Sequence, residues 1–432
     1  FKVDLRDSKS WDDCLQKTKI ASKNIEGEWI IGRGWDQNIW PDKKFPDLKK
    51  LDSIFPDKPV YLKRIDGHAA IANSYALTLA GINTQTKIEG GLVEVINGNL
   101  TGILVDNACD LLEKSIPAPS DEQIKSYLLK AQEICLKNGL TSVTDAGLNL
   151  KIVKIADSLH KSGLLKIRLN IMLNPNEENF DFAKKNGPLK TDRLTVHGFK
   201  IYMDGALGSH GACLLKPYES DTTSGFLLNS VANFKILAQR IAGIPKFQMN
   251  AHCIGDSAAR VFLKIASEYI NADEDRRWRM EHAQVVNPDD YYLFKKTGMI
   301  ASVQPTHATS DMIWAAELLG KERILHAYAY KKLLEINNII VLGTDFPVEQ
   351  VNPILTWYSS IIRKNKDGII LEPFKENILE KYETMMGMTY FPAFAEFREN
   401  EKGKIRPGMW ADFTLLDRDL FKTEENEILN TK

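Results

Sequence analysis

The stretch SDEQIKSYLLKAQEICLKNGLTSVTDAG, Ser120 to Gly147, holds one complete helix-to-strand unit. Ser120 followed by Gln123 is a capping box, in which the hydroxyl accepts from an early helix amide and the glutamine reaches back to the serine amide. Ile124, Tyr127, Leu128, Ala131 and Cys135 then recur at helical spacing. Asn138-Gly139 ends the helix with residues that tolerate a left-handed backbone. Leu140-Thr141-Ser142-Val143-Thr144 follows as a strand ending at Asp145-Ala146-Gly147.

The same beat continues downstream. Apolar or β-branched runs predict strands at Ile167–Leu173, Thr195–Met203, Phe247–His252, Trp278–His282, Met299–Gln304 and Ile339–Gly343. Helical spacing lies between them, as in Ser257–Ile270 with Ala258, Phe262, Ile265, Ala266 and Tyr269 on one face. Strand–helix alternation predicts an α/β fold with a parallel sheet, either doubly wound or a (β/α)8 barrel. No glycine-rich phosphate loop follows a strand, which weakens a nucleotide-binding reading. Seven strands rather than eight would leave a barrel with two open edges. The Gly, Pro and Trp content of residues 1–115 reads as a loop-rich insertion, and the C-terminal piece ends in a strand at Ala411–Leu416 with no sheet to join. Both features suggest a chain cut from a longer protein. The expected division is 1–115 as insertion, 116–395 as barrel and 396–432 as a C-terminal piece.

Composition excludes several classes. With 56 Lys+Arg against 57 Asp+Glu, the net charge of -1 leaves no electrostatic footprint for nucleic acid. No apolar run approaches the roughly 18 residues that span a bilayer. Five scattered cysteines form no CxxC pair, so neither a zinc ribbon nor a disulfide framework is indicated, and a reducing, cytoplasmic compartment is favoured. The chain opens without Met, so a targeting signal lies outside what can be read.

None of the eight histidines makes an HExxH or HxH pair, so a metal site has to be assembled from different strand ends. Those ends converge on the C-terminal face of a (β/α)8 barrel, where active sites sit. Lys200, His252, His282 and Asp345 end predicted strands. Two imidazoles and a carboxylate suit a divalent metal, although a lone histidine at a strand end is more often structural. A buried Lys200 ammonium is costly and has to be neutralised, modified or paired.

Five segments carry a family resemblance: Lys200–Ser209 (KIYMDGALGS), Asn250–Asp256 (NAHCIGD), Glu281–Gln284 (EHAQ), Ser302–His307 (SVQPTH) and Gly343–Pro347 (GTDFP). So do Gly32–Asp36, Arg64–Ala70 and Lys404–Phe413. The sequence resembles the amidohydrolase superfamily, in the branch that includes N-substituted formamide deformylase, over essentially its whole length. The resemblance implies a TIM-like metal-dependent hydrolase barrel with a remnant of a small β-sandwich, cleaving a non-peptide C–N bond of a small amide or formamide. It implies one or two divalent ions, zinc foremost, with Lys200 carboxylated by CO2 and bridging, and His252 and His282 as ligands. Asp345 would bind metal and shuttle the proton, and His307 would polarise the carbonyl or orient substrate, set against simple loop packing. A homodimer is also implied.

Departures stand beside it. The superfamily's first strand ends in an HxH pair, and no histidine precedes His68 here. The chain is therefore expected to lack that barrel strand and to bind metal poorly, and a catalytically disabled member is the alternative. A deaminase or phosphotriesterase-like chemistry is another. Asp66 and His68 read either as a packed strand with a turn at Gly67 or, by family analogy, as a lid facing substrate. Trp40 reads as packing and Trp35 as packing or a pocket wall. The branch pattern commonly carries an arginine where His210 and Ser257 stand here, so the resemblance implies a different pocket wall, with His210 facing substrate.

Overall fold

A computed structural model describes residues 3–25, 27–365 and 367–432. The chain divides into two compact units, Phe1–Ala118 with Asp204–Asn229, and Pro119–Met203 with Ser230–Lys432.

The first unit contains six strands: β1 (Val3–Asp4), β2 (Ile30–Trp35), β3 (Val60–Arg64), β4 (Ala69–Ala72), β5 (Gly91–Ile96) and β6 (Asn99–Asp106). They form one mixed sheet in the order β1-β2-β3-β4-β6-β5, parallel through β3 and antiparallel beyond it. Alternate residues feed two cores. Val60, Leu62, Ala69, Ile71 and Val105 pack with Trp11, Trp35 and Trp40 on one face, while Tyr61, Ala70, Ala72 and Leu104 pack with Cys109 and Leu112 on the other. The loop-rich reading of this region is therefore corrected: β3 and β4 are short and buried on both faces, so no polar alternation marks them, and several of the Gly and Trp residues lie within strands, as Gly32, Gly34 and Trp35 do in β2.

In the second unit, β7 (Ser142–Leu148), β8 (Arg168–Leu173), β9 (Leu189–Lys190), β10 (Leu194–Tyr202), β11 (Gln248–Cys253), β12 (Arg279–His282), β13 (Ile300–Val303) and β14 (Ile340–Leu342) follow in chain order. All but β9 run parallel in a curled sheet ordered β14-β13-β12-β11-β10-β8-β7, and the short β9 pairs antiparallel with β10. Each of the seven expected strands is present. The first extends beyond its expected end, because Gly147 (φ +119°) makes a bulge that carries the ladder to Leu148. The Ser120/Gln123 capping box forms, opening the helix Asp121–Lys137. Asp256–Tyr269 buries Ala258, Phe262, Ile265 and Ala266 as its spacing predicts.

The expected strand at Ala411–Leu416 is not one. No ladder partner is present among the described residues, Leu415 is 88% exposed, and the segment is held instead by an Asp412–Arg168 ion pair and a Thr414 hydroxyl donating to the Gly139 carbonyl.

His197 on β10 is buried edge-on to Phe397, and burial pulls its imidazole down to about 3. The unfolded chain binds the proton near pH 6.5, so this histidine stabilises the fold above about pH 6.5, and that contribution is lost as pH falls toward 3, at up to ~1.4 kcal/mol per pH unit. In urea melts between pH 6.5 and 4, His197→Asn is expected to lose stability less steeply than the wild type; parallel slopes would contradict this.

Candidate functional site

In the second unit, parallel pairing places Lys200, Asn250 and Arg279 in one row across β10, β11 and β12, and Tyr202, His252, Glu281 and Ser302 in the next. Residues paired in a row, or two apart on a strand, share a face. Alternation would turn His282 to the opposite face. It ends β12 with φ +72°, followed by Ala283 at +42°, and the reversal brings its ring to 4.6 Å from that of His252. Left-handed backbone at a non-glycine residue is strained and persists where its surroundings hold it.

The array continues around the strand ends. His282 Nδ1 lies 2.8 Å from Gln304 Oε1. The His307 ring stacks on His282 at 5.9 Å and 16°, and its Nε2 lies 4.0 Å from Asp345 Oδ2, beyond hydrogen-bond reach. His307 Nε2 is buried without a hydrogen-bond partner. Asp345 stands past β14 with φ +53° and a side chain 37% exposed. His252, His282, His307 and Asp345 are thus successive neighbours along the ends of β11 to β14.

Lys200 is buried, its Nζ 4.8 Å from the centroid of the Tyr202 ring. Burial pulls its ammonium down from the usual lysine range, with Glu281 and Asp345 opposing. In the same layer, Arg279 Nε donates to Asn250 Oδ1 at 2.9 Å and sits 3.2 Å from Glu281 Oε1. Gly198 leaves room beside them, since a Cβ there would meet Asn250 Nδ2 at 2.4 Å. Sequence reasoning missed Asn250, Arg279 and Glu281, though their spacing, two residues before His252 or alternating along β12, marks that face.

Among the described residues, no three His, Cys, Asp or Glu side chains converge closely enough to hold an ion. Two imidazoles do converge, with the buried Lys200 on the same face as His252 and Asp345 beyond His307. The donor chemistry fits a divalent ion held first by His252 and His282.

The remaining expected site residues lie in the first unit. Asp66 and His68 occupy the β3–β4 hairpin, which turns at Gly67 (φ +82°), the packed-strand arrangement. Arg64, 2% exposed, is held between Asp36 and Asp66, and its Nε donates to Gln37 Oε1 at 2.8 Å. His68 Nδ1 lies 2.7 Å from Asp106 Oδ1. Burial opposes protonation of His68, but Asp106, Asp66 and Asp204 together raise its pKa. Trp35 is a core side chain, fully buried with Nε1 donating to the Leu62 carbonyl at 2.8 Å, and forms no pocket wall. Trp40 is core as well. His210 (φ +59°) stacks on Tyr218 and contacts Asp221 at 3.0 Å. Asp106 was not legible as a partner of His68, because nothing in local spacing joins residues 38 apart.

Comparison with known proteins places these features in a family. Residues 2–432 match the model of the Amidohydrolase family. The chain is 30% identical to Protein LONG AFTER FAR-RED 3 of Arabidopsis thaliana, over 96% of this chain and 74% of that protein. It is 24% identical to the N-substituted formamide deformylase of Arthrobacter pascens, over 94% of this chain and 78% of that protein. An uncharacterized metal-dependent hydrolase from Pyrococcus horikoshii OT3 is similar in structure, with TM-score 0.77 and 29% identity, covering 98% of this chain and 83% of the other.

Removing the Arg64 guanidinium leaves two carboxylates facing each other in the first unit. Arg64→Leu is expected to cost about 3–5 kcal/mol, read in urea unfolding of that unit. A loss within about 0.5 kcal/mol, typical of surface positions, would contradict the buried-pair account.

Proposed function

The chain belongs to the amidohydrolase family, and from that premise we propose that it is a metal-dependent hydrolase that cleaves a non-peptide C–N bond in a small amide or N-substituted formamide. The observation that carries the reading is the succession of His252, His282, His307 and Asp345 along the ends of β11 to β14. That is where a (β/α)8 barrel carries its chemistry, and the seven-stranded parallel sheet is read as the body of such a barrel. The similarity to N-substituted formamide deformylase supports the bond class, and the archaeal metal-dependent hydrolase supports the metal.

His252 and His282 would hold the ion, zinc in this reading, with Asp345 and a Lys200 carboxylated by CO2 completing a site for one or two ions. Such an ion supplies Lewis acidity that makes water a nucleophile near neutral pH. Carboxylation also removes the cost of a bare ammonium at Lys200. Asp345, partly exposed, takes one proton from the attacking water and delivers it to the departing nitrogen as the C–N bond breaks, giving the acid and the free amine. His307 Nε2, buried and without a partner, donates to the carbonyl oxygen as charge gathers there.

The test is formate release from an N-substituted formamide by the chain stripped with chelator and reloaded with zinc, manganese or iron. Release is expected only after reloading, and Asp345→Asn is expected to lower turnover by about 10²–10⁴-fold with an unchanged melting temperature. Full turnover in Asp345→Asn removes that residue from the reaction, and turnover indifferent to metal removal contradicts the metal reading.

A further inference from the structure

We infer that Gln304 is the positioning residue of His282, fixing Nδ1 as the N–H donor so that Nε2 carries the lone pair toward the ion; the inference rests on the metal reading above. A neutral imidazole has one N–H, and whichever nitrogen donates leaves the other to ligate. Gln304 Oε1 stands 2.8 Å from Nδ1, and both side chains are buried.

The local sequence frees Gln304 for this role. It is the N-cap of the helix Pro305–Asp311, yet its side chain makes no capping bond. Pro305 at the first helical position has no N–H to satisfy, which lowers the demand on the cap. Its backbone is fixed as well. The buried Tyr330 hydroxyl donates to the Gln304 carbonyl at 3.0 Å, and the Arg363 guanidinium lies 4.5 Å from the centroid of the Tyr330 ring. Burial pushes the Tyr330 phenol up, so it stays a donor. Tyr330 thus pins the main chain of residue 304 while the side chain of residue 304 pins His282.

Two features make the anchor necessary. The φ of +72° at His282 turns its ring out of the strand's alternation, so the backbone alone does not set its orientation. With its Oε1 facing Nδ1, Gln304 accepts from His282 without adding negative charge near Glu281 and Asp345, whereas a leucine in its place offers no such acceptor. Residues that orient a ligating histidine commonly matter to metal affinity by 10–100-fold.

The experiment reads the tautomer first and the metal second. In the apo chain labelled with 15N-histidine at about pH 8, above histidine titration, two-bond N–H correlations identify each ring's tautomer, with His282→Asn assigning the signal. The wild type and Gln304→Glu are expected to show Nδ1–H at His282, and Gln304→Leu to lose that preference. In zinc competition against a chromophoric chelator, Gln304→Leu is expected to bind about 10–100-fold more weakly than wild type, with Gln304→Glu binding more tightly than Gln304→Leu. An Nε2–H tautomer in the wild type, or an unaltered tautomer in Gln304→Leu, overturns the inference. A wild type that takes up no zinc overturns the metal reading, and the tautomer then decides the role of Gln304 by itself.

Discussion

The arrangement depends on the register of the parallel ladder through β10, β11 and β12. Pairing Lys200 with Asn250 and Asn250 with Arg279 sets one row of side chains, and pairing Tyr202 with His252 and His252 with Glu281 sets the next. A slip of one residue in any of these strands would send its set to the opposite face. The apolar side of the same strands prevents that slip: Phe199, Ile201, Met249, Ala251 and Met280 are all buried and alternate with the polar rows.

That polar face is costly to bury. A lysine, an arginine, a glutamate and an asparagine lie within it, and charges leaving water need partners. Arg279 is matched to Asn250 and lies close to Glu281, whereas Lys200 has a tyrosine ring and the more distant charges of Glu281 and Asp345. A bound ion with carboxylation of the lysine would resolve the imbalance, so the proposed chemistry and the stability of the layer have a common cause. The left-handed backbones at His282 and Asp345 fit the same account, since strain of this kind gathers where side chains are held in functional positions.

The sequence was legible where local rules act alone. Ser120 and Gln123 marked a helix start, and β-branched runs between amphipathic helices marked seven strands because each repeats a simple period. The first unit was opaque because β3, β4 and β6 bury both faces and their order joins residues far apart. Residues 204–229 join that unit through similarly distant contacts, such as the Asn107 amide on the Leu228 carbonyl. Ala411–Leu416 has strand composition, but a strand exists only with a neighbour to pair. In the site, Lys200, His252, His282 and Asp345 were readable as strand ends. The turn that re-aims His282 and the anchor at Gln304 were not, because both are set by backbone geometry and packing rather than by residue type. Trp35 misled for a related reason, since an aromatic beside a charged residue reads alike as pocket wall or core.

The most direct test of the central claim, that His252 and His282 together hold a divalent ion, is zinc K-edge X-ray absorption on the zinc-loaded chain. The account predicts outer-shell scattering from two imidazoles, reduced to one in either His252→Asn or His282→Asn. Zinc bound without imidazole scattering, or two-imidazole scattering retained in both variants, would contradict it.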